Sequence, residues 1–524
     1  MEVLEFLMDA ADARPQAASF TIVVLLGLCL YLPLLTKNYD INGLAEAAAV
    51  ESGNPVDLWN PNHMLYRPVG YFVRQSLALA GIHAGAISLL QVLSAIFGAL
   101  GLGFVYLTLE RLTANRTIAI WMSLALGMSW AYWTLSTDVY YYSLAAMLVA
   151  SALAVFVDSK SNSAMVVCGL LIGASVLACQ ANAVLIPGFS LAILIADPSL
   201  RGKKAIQRLA GLWISAGVVV GTAFIGAGIL VYGKHSLSDL LNWGSNYSGN
   251  RLPMWGAWSP SRLLQTSGSA FKSILGMDFW MFPFFLRHLK NGELPAWVAP
   301  LGFVILACGL ILAYRTGARR TNGQNRTAVW LLVLYCTYIP FVTWWESTSP
   351  LWFIVPNIFL AAMIAVICSR WSMWRYFKFA LPAGVFILFG MNLAISAGPK
   401  HFKQSNPTQM AACVAGHMEK EDLFLATEWN WSDYLHYVHS RQVVSFIGQV
   451  SAAGNKTVAL QRIDQMVRDR RQQGGRVYMT DIQSYPPEHM KWLKEQTGLT
   501  ADDLHAYKGS QAFECVESKF LRLD

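Results

Sequence analysis

Residues 85–109 read GAISLLQVLSAIFGALGLGFVYLTL, an apolar run that contains no Asp, Glu, Lys or Arg. As a helix this run rises about 37 Å, which exceeds the ~30 Å hydrocarbon core of a bilayer. Ten other apolar runs lie on either side of it, so we predict an α-helical membrane protein with about eleven transmembrane helices. The predicted spans are 18–35, 85–109, 117–134, 139–157, 164–179, 183–196, 209–232, 295–314, 328–345, 351–368 and 377–396.

The composition of the whole chain agrees with this prediction. Charged residues make up 13% of the 524 residues and hydrophobic residues 55%, whereas a soluble globular protein has ~25% charged residues. The mean hydropathy is +0.40, which excludes a disordered chain and a typical cytosolic enzyme. The net charge of +8 is scattered between apolar runs. This scattered positive charge is typical of residues that anchor membrane topology. We therefore predict a lipid bilayer as the partner and no binding of nucleic acid.

The short connectors between the predicted spans are more basic than the long ones. The short connectors at 110–117, 158–163, 197–208, 315–326 and 369–378 carry 14 Lys and Arg in 48 residues. The two long connectors, 36–84 and 233–294, carry 9 in 111 residues. Because cytoplasmic loops are enriched in Lys and Arg, we expect the short connectors and the N-terminus in the cytoplasm. Both long connectors and the C-terminal region would then lie outside, across a bacterial inner or plasma membrane.

The C-terminal region, residues 397–524, alternates short apolar stretches with polar helical ones. This pattern predicts an extracytoplasmic α/β domain that follows a membrane module of residues 1–396. Strands are expected near 422–427, 442–447, 476–480 and 513–522, and helices at 431–440, 456–472 and 487–497. No glycine-rich nucleotide motif occurs in this region. Cys413 and Cys515 both lie in it, and a disulfide between them is one of two open alternatives.

The first long connector begins with TKNYDINGLAE at Thr36. Its Asp40 follows the predicted end of the first span by about five residues. A carboxylate held at this boundary could accept a proton from a hydroxyl group, or could bind a divalent metal such as Mg or Mn. It could equally cap the helix that is predicted to run to about Glu51.

The same connector continues with LWNPNHMLYRPVGY from Leu58. His63 and Arg67 lie about one helical turn apart in this segment. Arg67 could bind a phosphate through its forked guanidinium group, or could anchor a re-entrant helix to lipid headgroups.

Two further acids lie in short outer turns. Asp138 lies in the sequence STDVYYY and is a functional candidate, because ionisable groups at a membrane boundary often face a cavity. Alternatively, Asp138 caps the next span, and the tyrosines that follow it form part of an interfacial aromatic belt. Glu346 follows two tryptophans. It could contact a sugar, or it could lie in a solvated turn.

The second long connector contains RLPMWGAWSPSR from Arg251. Arg251 and Arg262 bracket Trp255 and Trp258. This arrangement suits a ligand with both phosphate and sugar, because Arg forks onto phosphate and Trp stacks on sugar rings. A loop in the lipid headgroup layer would have the same composition.

These pieces together resemble the GT-C superfamily of integral-membrane glycosyltransferases, which includes the protein O-mannosyltransferases and the lipid A aminoarabinose transferases. The order of a long outer loop, helical hairpins, a second outer loop and an outer C-terminal domain is similar. The segments that carry the resemblance are Tyr39-Asp40, PNHMLYRPVG at 61–70, Thr137-Asp138 and GLLIGASVLACQANAVLIP at 169–187.

The resemblance implies sugar transfer from a polyprenyl-phosphate-linked donor to an extracytoplasmic glycan, lipid or protein acceptor. Asp40 would be the base or a metal-linked carboxylate, and Asp138, Arg251 or Arg262 would help to bind the donor phosphate. The protein O-mannosyltransferases have adjacent Asp and Glu in the first loop, whereas Ile41 follows Asp40 here, and no D-x-D motif occurs. The motif therefore specifies neither a metal nor a protein acceptor.

Other classes of membrane protein share some of these features. A transporter or flippase for a lipid-linked sugar would also need Arg and Trp outside, and an O-antigen ligase or polymerase has a large outer loop. Transporters usually carry repeats and charged groups near the membrane midplane. The predicted spans are nearly free of charge and no repeat is visible, which favours the transferase.

Overall fold

The structure is a computed structural model in which most of the chain before residue 398 is helical. It describes residues 2–159, 161–245, 256, 258–276, 322–369, 377–394, 398–402, 405–427, 430–485, 487–516 and 518–523. The first helices are α1 (Glu2–Tyr31), α2 (Ile41–Ser52), α3 (Pro55–Leu58), α4 (Tyr66–Leu79), α5 (Ala86–Thr113), α6 (Arg116–Gly127), α7 (Trp130–Thr137) and α8 (Tyr142–Asp158). They are followed by α9 (Asn162–Ala178), α10 (Leu185–Ala196), α11 (Gly202–Leu230), α12 (Leu237–Ser245), α13 (Pro260–Leu275), α14 (Asn322–Trp345), α15 (Ile354–Ser369) and α16 (Phe377–Asn392).

Fewer helices qualify as membrane spans than the sequence predicts. Among the described residues, five helices are long and apolar enough to cross a bilayer, or six if the bent pair α6 and α7 counts as one span. Four shorter apolar segments also coincide with predicted spans. The count of about eleven is therefore not confirmed, and the predicted span 295–314 lies outside the described residues. These apolar helices indicate that the chain is an integral membrane protein.

Helix α5 lies at the centre of the helical module. It packs against α1, α6, α7 and α8, and its Ala95, Ala99 and Leu102 are completely buried. Small residues allow helix backbones to approach closely where lipid provides no hydrophobic driving force. The segment 85–109 is therefore a central buried helix.

A short 3₁₀ turn, Gln180–Val184, separates α9 from α10. The side chain of Gln180 donates a hydrogen bond to the Pro61 carbonyl oxygen at 2.8 Å. The break between the predicted spans 164–179 and 183–196 is confirmed, and this hydrogen bond connects it to the first long connector.

The C-terminal region contains a five-stranded sheet. Its helices are α17 (Gly398–Phe402), α18 (Asn406–His417), α19 (Asn430–Tyr437), α20 (Phe446–Ala453), α21 (Lys456–Gln472), α22 (Pro487–Thr497) and α23 (Ala501–His505). Its strands are β1 (Leu423–Ala426), β2 (Gln442–Ser445), β3 (Val477–Thr480), β4 (Gly509–Cys515) and β5 (Ser518–Leu523), in the order β2-β1-β3-β5-β4. The first three strands are parallel, and β5 pairs antiparallel with β3 and β4.

The α/β pattern is confirmed, with one correction. The single strand expected at 513–522 is a hairpin of β4 and β5, which turns near Val516. Val516 has a φ of 46°, and no glycine or proline marks this turn in the sequence. Helix α18 was not predicted, although Ser405 caps it and Pro407 follows within its first turn.

The two faces of the sheet bury different cores. Because side chains alternate along a strand, Leu423 and Leu425 pack on one face with helices α20, α21 and α22, and Phe424 and Ala426 pack on the other. The second core also contains Leu44 of α2. This face of the sheet is therefore packed against the first long connector.

A disulfide joins Cys413 of α18 to Cys515 of β4, 102 residues later in sequence, which confirms one of the two alternatives. Closing a loop of this length restricts the unfolded chain. We expect the double substitution Cys413→Ser and Cys515→Ser to lower the free energy of unfolding of this region by about 2–5 kcal/mol. Thermal unfolding with and without dithiothreitol measures the effect. Reductant should lower the melting temperature of the native chain only, and an equal change in both proteins would contradict the prediction.

Candidate functional site

Asp40 begins helix α2. Its Oδ1 atom accepts hydrogen bonds from the Asn42 backbone N–H at 2.9 Å and from the Asn42 side-chain amide at 3.0 Å. The capping interpretation is therefore confirmed, because these donors would otherwise be unsatisfied at the start of the helix. Asp40 remains half-buried, and capping does not prevent a second role.

Asp138 lies directly beside Asp40. The Asp138 carboxylate accepts the Asp40 backbone N–H at 3.2 Å and the Val139 N–H at 2.7 Å. It is only 2% exposed and directly follows α7. Helix α8 begins four residues later, at Tyr142, so Asp138 does not cap it and that interpretation was wrong.

The three tyrosines after Asp138 do not form an interfacial belt. They are 2–5% exposed and pack against one another, with ring centroids 4.3–5.9 Å apart. The expected belt position was wrong, because these rings are buried in the protein interior, where Tyr140 contacts Asn42 of α2 and Tyr142 packs on Trp352.

Backbone contacts hold the two acidic segments together. The Thr36 N–H donates to the Thr137 carbonyl oxygen at 3.0 Å, and the buried Gln91 side chain donates to the Thr36 carbonyl oxygen at 2.8 Å. Gly43 faces the Val139 backbone, where an added Cβ would lie 2.8 Å from the carbonyl oxygen. A glycine at this position thus allows α2 to approach the Asp138 turn.

Lys400 of α17 supplies a positive charge to the same place. Its carbonyl oxygen accepts hydrogen bonds from the Lys37 N–H at 3.2 Å and from the Asn38 side chain at 2.8 Å. Its Nζ atom lies 5.4 Å from the centre of the Trp130 ring. Burial lowers the pKa of Lys400, and attraction to Asp138 and then to Asp40 opposes this shift.

Two further carboxyl groups interact electrostatically with Asp40. Glu346 accepts a hydrogen bond from the Trp352 indole at 3.0 Å, and burial raises its pKa, with Asp40 adding to the effect. Burial, followed by repulsion from Asp40, raises the pKa of Asp433 on α19 to about 7. The turn after α14 and the C-terminal sheet region therefore both contribute acids around Asp40.

The ionisation of Asp138 should make stability depend on pH. Burial and then the charge of Asp40 raise the pKa of Asp138 to about 7, against ~3.9 in an unfolded chain. Between these values the folded state holds a proton that the unfolded state has lost, so Asp138 contributes less stability as the pH rises. We expect the melting temperature of native protein to fall between about pH 4 and 7 more steeply than that of an Asp138→Asn variant.

The exposed Asp239 of α12 provides the control for this measurement. Asp239→Asn should keep the native pH dependence. The asparagine at position 138 loses one backbone hydrogen bond at every pH. This loss lowers the melting temperature by a constant amount and does not change its slope against pH. Parallel curves for native protein and Asp138→Asn would contradict the raised pKa.

His63 and Arg67 lie in a buried cluster around Glu46. The Arg67 guanidinium group donates two hydrogen bonds to the Glu46 carboxylate, each 2.9 Å, and a third to the Asp57 carbonyl oxygen at 2.7 Å. His63 Nε2 lies 3.8 Å from Glu46, and its ring centroid lies 3.9 Å from that of Tyr141. Burial lowers the pKa of His63 to about 4, against attraction from Glu46. The cluster thus borders the Asp138 turn.

The second long connector is described only in part. Arg262 caps the C-terminal end of α14 by donating from Nη1 to the Trp344 carbonyl oxygen at 2.8 Å, two residues before Glu346. Trp258 is 63% exposed. Arg251 and Trp255 lie outside the described residues.

Sequence reasoning did not identify Lys400, Asp433 or Glu46 as site residues. Lys400 follows the last predicted span, and Asp433 lies in the aromatic stretch WNWSDY. A lysine just outside a span usually serves as a topology anchor, so only the aromatic neighbours of Asp433 gave a signal. Their placement depends on tertiary contacts.

The metal-ligating capacity of the site rests on Asp40 and Asp138. Carboxylate oxygens are the ligands that Mg²⁺ and Mn²⁺ prefer, so the donor chemistry fits. Within the described ranges, only one cluster brings together the ligand atoms of three His, Cys, Asp or Glu side chains. It consists of Cys413, His417 and Cys515, and its two cysteines are already joined to each other.

Comparison with known proteins supports the fold. By sequence, the chain matches no family model and no curated protein. By structure, it is similar to ArnT from Cupriavidus metallidurans bound to undecaprenyl phosphate, with a TM-score of 0.59 at 13% identity over 96% of this chain and 97% of that one.

A second similarity is to the oligosaccharyltransferase of Archaeoglobus fulgidus. Its structure tethered to an acceptor peptide with an NVT sequon gives a TM-score of 0.54 at 11% identity, over 97% of this chain and 74% of that one. The complex with an inhibitory peptide and a dolichol-phosphate gives 0.51 at 12% identity over the same shares. The chain therefore has the same overall fold as ArnT and this oligosaccharyltransferase.

Proposed function

We propose that this protein is a membrane glycosyltransferase that moves a sugar from a polyprenyl-phosphate-linked donor to an extracytoplasmic glycan, lipid or protein acceptor. The observation that carries the proposal is that half-buried Asp40 lies beside the buried Asp138 and that both carboxylates attract Lys400. Undecaprenyl phosphate and a dolichol-phosphate are bound by the two structurally similar proteins, which supports this class of donor.

Asp40 acts in this proposal as the base that accepts the acceptor's hydroxyl proton, or as a carboxylate that holds a divalent metal. Asp138 orients it through the Asp40 N–H. Lys400 offsets the negative charge of this group of acids through its attraction to Asp138 and Asp40.

Transfer also requires groups that stabilise the departing lipid phosphate. We assign Arg262 and Arg251 to that role, with Trp258, Trp255 and Glu346 on the sugar. Arg262 donates a hydrogen bond to the Trp344 carbonyl oxygen, two residues before Glu346 in the sequence. His63 and Arg67 lie deeper and hold the first long connector in place.

The disulfide supports an outward-facing C-terminal region. Disulfides persist in oxidising compartments such as the periplasm and are rare in the cytosol. We therefore propose that residues 397–524 form an extracytoplasmic domain on a membrane module of residues 1–396. The N-terminus would be cytoplasmic, in a bacterial inner or plasma membrane.

The test uses purified full-length protein in proteoliposomes with labelled polyprenyl-phosphate sugars and a crude envelope extract as acceptor. We expect label to move from the lipid to an acceptor fraction, and not in protein-free liposomes. Movement of intact donor across the bilayer without transfer would make the protein a flippase. Joining of preassembled glycan chains, without use of single-sugar donors, would make it a ligase or polymerase.

A further inference from the structure

The C-terminal sheet has a crevice at the carboxyl ends of β1 and β3. These strands are parallel neighbours, but the chain connects β1 to β2 on one side and then returns to place β3 on the other side of β1. Neighbouring strands whose connections run in opposite directions leave such a crevice, and ligands of open α/β sheets bind there. Thr427 directly follows β1, and Thr480 is the last residue of β3.

A cavity of about 190 Å³ occupies this position. Its wall is aromatic on several sides, with hydroxyl and imidazole groups between the rings. The residues that line it include Trp431, Phe520, Tyr485, Thr480, His489 and Ser518.

Two polar atoms of this wall are buried without a partner. Thr480 is only 3% exposed, and its Oγ1 makes no hydrogen bond with any described residue. The same holds for His489 Nε2, although the His489 ring stacks on Tyr485 at 4.5 Å. Nearly all buried polar atoms in proteins have a partner. Two such atoms lining one cavity therefore indicate a ligand that hydrogen-bonds to both.

The chemistry of the wall selects the class of ligand. The lining residues in the described part of the chain include no Lys, Arg, Asp or Glu, so a phosphate or another strongly charged group would have no counter-charge. Trp431 and Phe520 lie nearly perpendicular, with centroids 5.9 Å apart, and form the apolar part of the wall, in which Trp431 is 7% exposed and Phe520 is fully buried. The volume is below the ~300 Å³ of drug-sized pockets, which suits one ring.

We propose that this cavity binds one neutral sugar ring, with its C–H face on the aromatic side chains and its hydroxyl groups on Thr480 and His489. Helix α19 links the cavity to the candidate site. Trp431 lines the cavity, Asp433 interacts with Asp40, and the Tyr434 hydroxyl donates to the Tyr39 carbonyl oxygen at 2.6 Å. The bound ring is a non-reacting unit of the acceptor glycan, a role that rests on the proposed function, whereas the binding itself does not.

The test measures binding to the purified full-length protein by saturation-transfer NMR. The probes are the methyl glycosides of glucose, galactose and N-acetylglucosamine at about 10 mM, where even a millimolar dissociation constant gives high occupancy. We expect at least one probe to bind. Thr480→Val, which removes the hydroxyl group but keeps the shape, should weaken binding about three- to tenfold. Thr457→Val, at an exposed position of α21, should not.

Each outcome decides the proposal. Absence of binding by all three probes, or equal binding by native protein and Thr480→Val, overturns it. A charged probe such as glucose 6-phosphate that binds more tightly than the neutral glycosides also overturns it. Native protein that binds a glycoside but transfers no sugar counts against the proposed function alone, while transfer without glycoside binding counts against the cavity alone.

Discussion

Replacing Asp40 with asparagine should lower the rate of sugar transfer about 10²–10⁴-fold, the usual contribution of a positioned general base. Asparagine caps helices about as well as aspartate does, and its oxygen can still accept the Asn42 N–H bond of α2. The fold of the first long connector should therefore persist. The substitution removes only the charge and the ability to accept a proton, so lost transfer would report on the chemistry.

The measurement is the initial rate in the proteoliposome assay, together with donor binding and a thermal melt of each variant. The matched control is Asp239→Asn, because Asp239 is an exposed acid of the second long connector and plays no part in the cluster. Unchanged transfer by Asp40→Asn would leave Asp40 as a helix cap alone. Chelation by EDTA separates the two roles, since a metal-linked carboxylate would lose activity and a simple base would not.

The sequence indicated the membrane character and the two central acids, but not how they are arranged. Hydropathy measures composition along the chain and does not report the direction in which one helix runs relative to the next. Helices α6 and α7 over residues 116–137 are largely apolar, and the chain bends by 65° between them. Asp138 directly follows α7 and is buried beside Asp40, an arrangement that the hydropathy pattern does not predict.

The groups that sequence reasoning missed are distant in the chain. The Asn38 side chain and the Lys400 carbonyl oxygen that it contacts are 362 residues apart, and no local pattern records such a contact. Asp433 approaches Asp40 only because the second face of the C-terminal sheet packs on Leu44. The sequence predicted the α/β pattern of this region, but the surface that covers the second face of the sheet is set by tertiary packing.

Replacing Arg67 with methionine should destabilise the protein by about 3–5 kcal/mol, because it leaves a buried carboxylate without its counter-ion. Glu46 is 1% exposed, and both of its oxygens accept from Arg67. Attraction to Arg67 and then to His63 keeps the pKa of Glu46 below its usual value, against the effect of burial. His63 also lies beside Glu46, but burial lowers the pKa of its ring to about 4 in the native protein.

The melting temperature in detergent, measured at pH 7 for single and double variants, tests this prediction. Arg111→Met is the matched control, because the Arg111–Asp158 pair is partly exposed, with side chains 31% and 54% accessible, and such pairs contribute only ~0–1 kcal/mol. The double variant Glu46→Leu with Arg67→Met should recover most of the stability, since apolar replacement of a buried ion pair is often neutral. Equal melting temperatures for Arg67→Met and Arg111→Met would contradict the structural role. A stable but inactive double variant would instead show that Glu46 or Arg67 has a role in transfer in addition to its role in stability.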